Sequence, residues 1–250
     1  MTTSGPIAAL YPEIAAGGFS RVDGTIAFYV RVGALLGEMG QAAVVLDLGA
    51  GRGAFLDDPV RARREAHLLR GRAARVIGVD LDEVVLSNPA VDEAHVVKVG
   101  DPLPVGEGAI DLVVSDFTFE HIADPAWVAA EVDRILKPGG WLCARTPNRW
   151  GYIGAGARLV PNSLHVAVLG RLQPRKAAED TFPTTYLLNT PAALRRWFPP
   201  SWYDHFVWAM DNEPAYVGRS AAMARVTKAA FSVTPPALRS ILLVFLRKLS

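Results

Sequence analysis

"LDLGAGRGAF", residues 46–55, sets three glycines into five residues directly behind an apolar run. The run "AVVLDL" (43–48) reads as a short buried strand. The loop therefore leaves the carboxyl end of a strand, which is where open α/β sheets take their ligands. Glycines there let the backbone approach something closely. The pyrophosphate of a dinucleotide, the phosphates of a nucleotide and a ligand without phosphate are the three candidates.

The chain on either side repeats one theme. "RVIGVDLD" (75–82), "AHVVKVGD" (94–101), "AIDLVVSD" (109–116) and "WLCART" (141–146) read as further strands, the first three ending in acids. Helices are expected at 22–39, where Ile26, Val30, Val32, Leu35 and Leu36 lie close to one face, at 59–71 behind Pro59, and at 125–137 up to "KPGG" (137–140). Strands alternating with helices imply right-handed crossovers and a parallel sheet. "WYDHFVWAM" (202–210) and "PAYVG" (214–218) read as two more strands, with helices at 219–231 and 235–249. The fold class is α/β: a Rossmann-like, doubly wound, seven-stranded, mostly parallel sheet with an insertion after the fifth strand. Residues 1–250 are read as one domain. It comprises an N-terminal lid and helix (1–40), a ligand-binding core (41–147), a cap over the strand ends (148–200) and a closing segment (201–250).

Bulk properties narrow the function. The chain has 250 residues, 50% hydrophobic and 20% charged, enough for one α/β domain with a sizeable core. A net charge of +1 gives no field that would favour nucleic acid. The arginines at 61–75 read as a solvated helix face. Cys143 is the only cysteine, inside the apolar "WLCAR", which suits a buried strand position and a reducing, cytoplasmic setting. The N-terminus carries no secretory signal pattern. "ILLVFL" (241–246) is too short to span a bilayer and reads as a packed terminal helix. Flanked by Arg239, Arg247 and Lys248, that helix has a peripheral contact with the inner face of a membrane as its alternative role.

The loop itself can be sorted chemically. A P-loop needs Lys-Ser or Lys-Thr behind its last glycine, and none follows Gly53. Gly49-Ala50-Gly51-Arg52-Gly53-Ala54 does satisfy the dinucleotide pattern G-x-G-x-x-G/A. Asp47 argues against a pyrophosphate, because its charge stands at the strand end where the anion would lie. It suits a cationic ligand instead. S-adenosylmethionine carries a sulfonium and an ammonium and no phosphate. Asp80 then meets its ribose hydroxyls, Leu81 gives an apolar face to the purine, and Asp101 accepts from the adenine amino group.

The ordered set "VVLDLGAGRGAF", "VIGVDLDE", "VGDPL", "AIDLVVSDFTFEHIADP" and "ILKPGGWLCARTPN" resembles the class I S-adenosylmethionine-dependent methyltransferases. Within them it is most similar to the small-molecule and glycan methyltransferases with an "EH" dipeptide behind the fourth strand. The likeness covers roughly residues 40–150. It implies that Asp47, Gly49, Ala50 and Gly51 hold the methionine part, Asp80 the ribose and Asp101 the adenine. It also implies that Asp116 and Phe117 line the sulfonium region. Two departures stand out: a long stretch between Gly53 and Asp80, and a short one between Asp101 and Asp111.

If the acceptor is a hydroxyl, a base must take its proton. His121 in "FEHIADP" is the candidate, with a purely structural role as its alternative. Glu120 and His121 are adjacent, and even with Asp116 or His165 they form no compact ligand cluster, so no metal is expected. Acceptor recognition is expected from Asn148, Arg149, Trp150, Tyr152, His165 and Tyr186, with Thr184 and Asn189 beside them. Phe19, Arg21 and Asp23 are lid candidates. His205 reads as structural, and His67 and His95 show no partners in the sequence. The expected activity is O-methylation of a small molecule, with a saccharide, glycan or lipid-linked sugar as the class. An NAD(P)-dependent enzyme and a non-catalytic donor-binding module are the alternatives. The oligomeric state is open.

Overall fold

The computed structural model describes residues 6–151, 183–213 and 220–250. Seven strands occur: β1 (Val44–Leu48), β2 (Arg75–Asp80), β3 (Glu93–Val96), β4 (Ile110–Asp116), β5 (Leu136–Pro147), β6 (Tyr203–Met210) and β7 (Ile241–Lys248). They form one sheet in the order β3-β2-β1-β4-β5-β7-β6. The first five are parallel, and β7 runs antiparallel to both β5 and β6. Strand order reverses between β1 and β4, so the crevice for a ligand opens above the ends of those two strands.

Helices cover both faces, so the central strands are apolar on both sides. On one face α2 (Gly24–Met39) sets Phe28, Tyr29, Val32 and Leu36 against Val45, Val114 and Cys143. On the other, α4 (Pro125–Ile135) and α5 (Pro191–Trp197) set Val132, Ile135 and Leu194 against Leu46, Val113 and Leu142. The α2 N-terminus is fixed by Asp23, whose carboxylate accepts from the backbone N–H groups of Thr25 and Ile26 at 2.9 and 3.0 Å. Such a cap is worth about 1 kcal/mol. Two shorter helices, α1 (Pro6–Leu10) and α3 (Arg61–His67), precede the cap and follow the glycine loop, and α6 (Ala221–Val233) precedes β7.

The C-terminus corrects the sequence reading. Residues 235–249 do not form a helix; Ile241–Lys248 is a strand inserted between β5 and β6. Ile241 through Leu246 are all buried, with alternate side chains entering opposite core clusters. A strand buried on both faces has no polar alternation, so its period cannot be told from that of a buried helix. The membrane contact proposed for that helix falls with it, because its apolar side chains are spent in the core. No helix among the described residues is long and apolar enough to cross a membrane. The strand expected at 214–218 lies outside the described residues. Smaller shifts have local causes. α4 stops at Ile135 because the KPGG turn bulges into the start of β5, shifting register between Leu136 and Trp141. β3 ends at Val96 and α3 at His67, both short of the expected bounds.

Candidate functional site

The glycine loop is built by backbone geometry. Gly49, Gly51 and Gly53 have φ of 82°, 50° and 75°. That left-handed region is open to glycine at little cost. Gly49 is doubly required, because a Cβ there would run into the Thr118 side chain. At Gly53 a Cβ would come within 2.5 Å of Asn88 Oδ1. The Asn88 amide in turn donates to the carbonyls of Ala50 and Gly51 at 3.0 and 3.1 Å, clamping the loop from outside. Around Gly51 a Cβ would meet nothing, so this side of the loop is open.

Three carboxylates stand around that opening. Asp80 accepts from Gly51 N–H at 2.9 Å and from Asp82 N–H at 3.0 Å, leaving further lone pairs for a diol. Asp116 at the end of β4 is taken by Arg145 in a fork, Nε to Oδ1 and Nη2 to Oδ2, both 2.7 Å. Burial opposes its ionisation, but Arg145 wins, and the carboxyl sits below the usual range. Asp47 has no such partner. No cation pairs with it and no hydrogen bond reaches its side chain among the described residues. Burial, then the charges of Asp116 and Asp80, push it up to about 7. A carboxylate held in that condition is complementary to a ligand that brings positive charge.

Beyond Asp116 lies a cavity of about 200 Å³. Asp116 and Arg145 wall it from the sheet, Thr25 from α2, and Phe55, Arg63 and His67 from the segment behind the glycine loop. Phe117 caps the edge in a left-handed conformation, φ 55°, with the Arg145 guanidinium 4.7 Å from its ring centre.

A second group of side chains gathers where β4 and β5 end. His121 Nδ1 lies 3.0 Å from the Pro183 carbonyl, and its Nε2 lies 4.0 Å from Glu120 Oε1. The Glu120 carbonyl accepts from the N–H groups of Thr185 and Tyr186. Glu120 itself is buried, accepting from Thr146 Oγ1 at 2.9 Å. Asn189 donates to Thr146 Oγ1 and to the Pro147 carbonyl. The 183–189 strip is thus laced to the loop that carries His121.

The remaining sequence candidates separate. Leu81 is exposed beside Asp80, as a purine face would be. Asp101 is exposed five residues past β3; its carbonyl accepts from Trp127 Nε1. Asn148 is not available to an acceptor: it is buried, and its amide joins the carbonyls of Ala237 and Arg239 at 2.9 Å to the Trp150 N–H. Arg149 lies 5.8 Å from the exposed Trp150 ring, and its Nε has no partner among the described residues. Tyr186 is buried at φ 53°. Tyr152 and His165 lie outside the described residues, as do 152–182 generally. Of the lid candidates, Arg21 pairs with Glu13, and Asp23 is tied to Arg63 at 2.5 Å. No group of three His, Cys, Asp or Glu that could hold a metal occurs among the described residues.

Sequence reasoning missed His67, Tyr29, Arg145 and Asn88. Tyr29 OH is 2.6 Å from His67 Nε2 and donates to Asp116 at 3.3 Å. The signal for Arg145 was present: a lone arginine inside an apolar strand, two places beyond Cys143, needs a buried acid.

Residues 46–144 match a family described as a methyltransferase domain. The chain is 36% identical over 110 residues to a protein of Mycolicibacterium smegmatis named as a probable S-adenosylmethionine-dependent methyltransferase, covering 42% of this chain and 38% of that one. It is 34% identical over 114 residues to a ubiquinone biosynthesis O-methyltransferase of Thiobacillus denitrificans, covering 42% and 44%. The chain spans less than half the length of these curated relatives. In fold it is similar to a solved S-adenosylmethionine-dependent methyltransferase of Mesorhizobium loti, with TM-score 0.51 and 20% identity over 86% of this chain and 95% of that one.

Proposed function

We propose that this chain, whose residues 46–144 match a methyltransferase domain, is a class I S-adenosylmethionine-dependent methyltransferase that moves the donor's methyl group to an oxygen of a small molecule. The observation that carries the reading is Asp47, a carboxylate without a counter-ion among the described residues, beside an open glycine loop at the switch point of the sheet. The residues present fit the donor. Asp47 faces its positive charge, Asp80 offers spare lone pairs to the ribose hydroxyls, and Leu81 offers an apolar surface to the purine. When bound, S-adenosylmethionine supplies an electrophilic methyl on a good leaving group. The protein's part is alignment and removal of a proton.

His121 is the group we assign to that proton. Its Nδ1 faces a carbonyl, which only accepts, so Nδ1 carries the hydrogen and Nε2 is the basic nitrogen. Glu120 Oε1, 4.0 Å away, favours the imidazolium once formed. The name of the Thiobacillus relative supports oxygen as the atom methylated. Trp150, Arg149 and the 183–189 strip combine aromatic, cationic and amide groups, and on that chemistry we take a saccharide, glycan or lipid-linked sugar as the acceptor class.

Titration calorimetry with S-adenosylhomocysteine and with NAD tests the donor. We expect S-adenosylhomocysteine to bind and NAD not to; the reverse result overturns the reading in favour of a dinucleotide enzyme. Incubating the protein with methyl-labelled donor and an extract of its source cells tests the transfer. A labelled sugar is the expected product. A bound donor that never turns over would leave only a donor-binding module. Full turnover by His121→Ala at saturating acceptor would remove His121 from the role of base.

A further inference from the structure

The cavity beside Asp116 holds a polar array in which the donor reading gives Tyr29 and His67 no role. The His67 ring is clamped between Tyr29, 3.9 Å between ring centres, and Phe55, 3.7 Å and nearly parallel. Its orientation follows from the bonds around it. With the Tyr29 hydroxyl proton assigned to Asp116 Oδ2, 3.3 Å away, the same oxygen accepts from His67 Nε2–H at 2.6 Å. The proton of the neutral ring is therefore on Nε2, and the lone pair is on Nδ1. Nδ1 makes no hydrogen bond among the described residues and is not sealed off from solvent. Burial holds the ring neutral, pushing its pKa down to about 4 against the opposing charge of Asp116.

The guanidiniums around the cavity are already paired. Arg145 is forked onto Asp116. Arg63 meets Asp23 at 2.5 Å, Glu213 at 2.9 Å and Asp58 at 3.8 Å. An anionic ligand finds no spare cation here among the described residues, whereas a hydroxyl finds an acceptor nitrogen between two rings. Position agrees with chemistry. Asp80 and the glycine loop place the donor's ribose over β2 and β1, and the cavity lies further along the same edge, over β4 and β5. Displacement at carbon needs the acceptor opposite the leaving group, on that far side.

We propose that this cavity is a subsite for the acceptor, and that His67 Nδ1 accepts a hydrogen bond from a ring hydroxyl other than the one that is methylated. The inference rests on the methyltransferase reading. At about 200 Å³ the cavity admits one six-membered ring. The required chemistry is a pair of neighbouring ring hydroxyls, which a catechol and a sugar both carry.

The test uses full-length protein labelled with ¹⁵N-histidine. His67 ring nitrogens are followed by NMR with S-adenosylhomocysteine, then with catechol or methyl α-glucoside added to the saturated complex. The expected result is an Nε2–H tautomer whose Nδ1 resonance moves with one of the two probes and not with S-adenosylhomocysteine alone. The probe that acts tells an aromatic acceptor from a sugar. His67→Phe keeps both ring stacks and removes the acceptor nitrogen. It should weaken binding of that probe by about tenfold or more, the worth of one buried hydrogen bond, and leave S-adenosylhomocysteine affinity within about twofold. A shift of Nδ1 on S-adenosylhomocysteine alone overturns the proposal, because the cavity then holds the donor's own tail. No response to either probe also overturns it, as does unchanged probe affinity in His67→Phe. Failure of the wild-type protein to bind S-adenosylhomocysteine is a separate result and strikes the methyltransferase reading itself.

Discussion

Asp47 and Asp116 end neighbouring strands, two residues apart in register, and both are desolvated. Their ionisation nevertheless runs in opposite directions. Asp116 is held charged by a fork of two 2.7 Å bonds from Arg145, while Asp47 is pushed up to about 7 with no cation to oppose it. The same contrast divides the site. The β4–β5 side is internally complete: Arg145, Tyr29 and Thr25 bind one another and Asp116. The β1–β2 side is made of left-handed glycine backbone around a carboxyl whose charge nothing in the described protein balances. The complete side asks no counter-ion of a ligand, and the incomplete side is where a cationic ligand lowers the free energy most.

Four substitutions probe this contrast, the three destabilising ones first, in order of expected effect. Arg145→Met gives Asp116 the situation of Asp47. Removing one member of a buried pair leaves a charge uncompensated, and urea denaturation should show a loss of about 3–5 kcal/mol. Gly49→Ala attacks the other side through its backbone. The φ of 82° and the Thr118 side chain both resist a Cβ. A stability loss of about 1–3 kcal/mol is expected, with S-adenosylhomocysteine binding weakened more than tenfold in calorimetry. Gly51→Ala, where the Cβ meets nothing, should cost less stability. Asp47→Asn differs in sign, and its size grows with pH. Because the folded pKa of Asp47 is raised, its neutral form is favoured by folding. Any stability tied to that proton is complete below about pH 4 and lost as pH rises through about 7. The variant should therefore gain on the wild type above pH 5, by up to about 1.4 kcal/mol per pH unit until the carboxyl is ionised. Thermal melts at pH 5, 7 and 9 check the trend.

What could be read beforehand follows from the same division. The glycine loop, Asp47 and Asp80 act through backbone conformation and strand-end position, and both leave marks at fixed spacing. The parallel core was legible because its strands are separated by amphipathic helices. β7 was not, since a run buried on both faces carries no period. Nor was the His67 array: Tyr29, His67, Asp116 and Arg145 are up to 116 residues apart in sequence, by their numbers alone, and only the α2–sheet packing brings them together. Asn148 misled for a related reason. An amide in an aromatic stretch suggests recognition, but here it satisfies the backbone at the start of β7.

The most direct test of the Asp47 account is calorimetric titration of S-adenosylhomocysteine at pH 6.5 in two buffers of different ionisation enthalpy. The ligand keeps the ammonium group that Asp47 is expected to face. If Asp47 is largely protonated when free and ionised when bound, the two heats differ by an amount equal to release of up to about one proton. That difference shrinks at pH 8.5 and is absent in Asp47→Asn. Equal heats in both buffers at pH 6.5, or the same proton release from the variant, would contradict it.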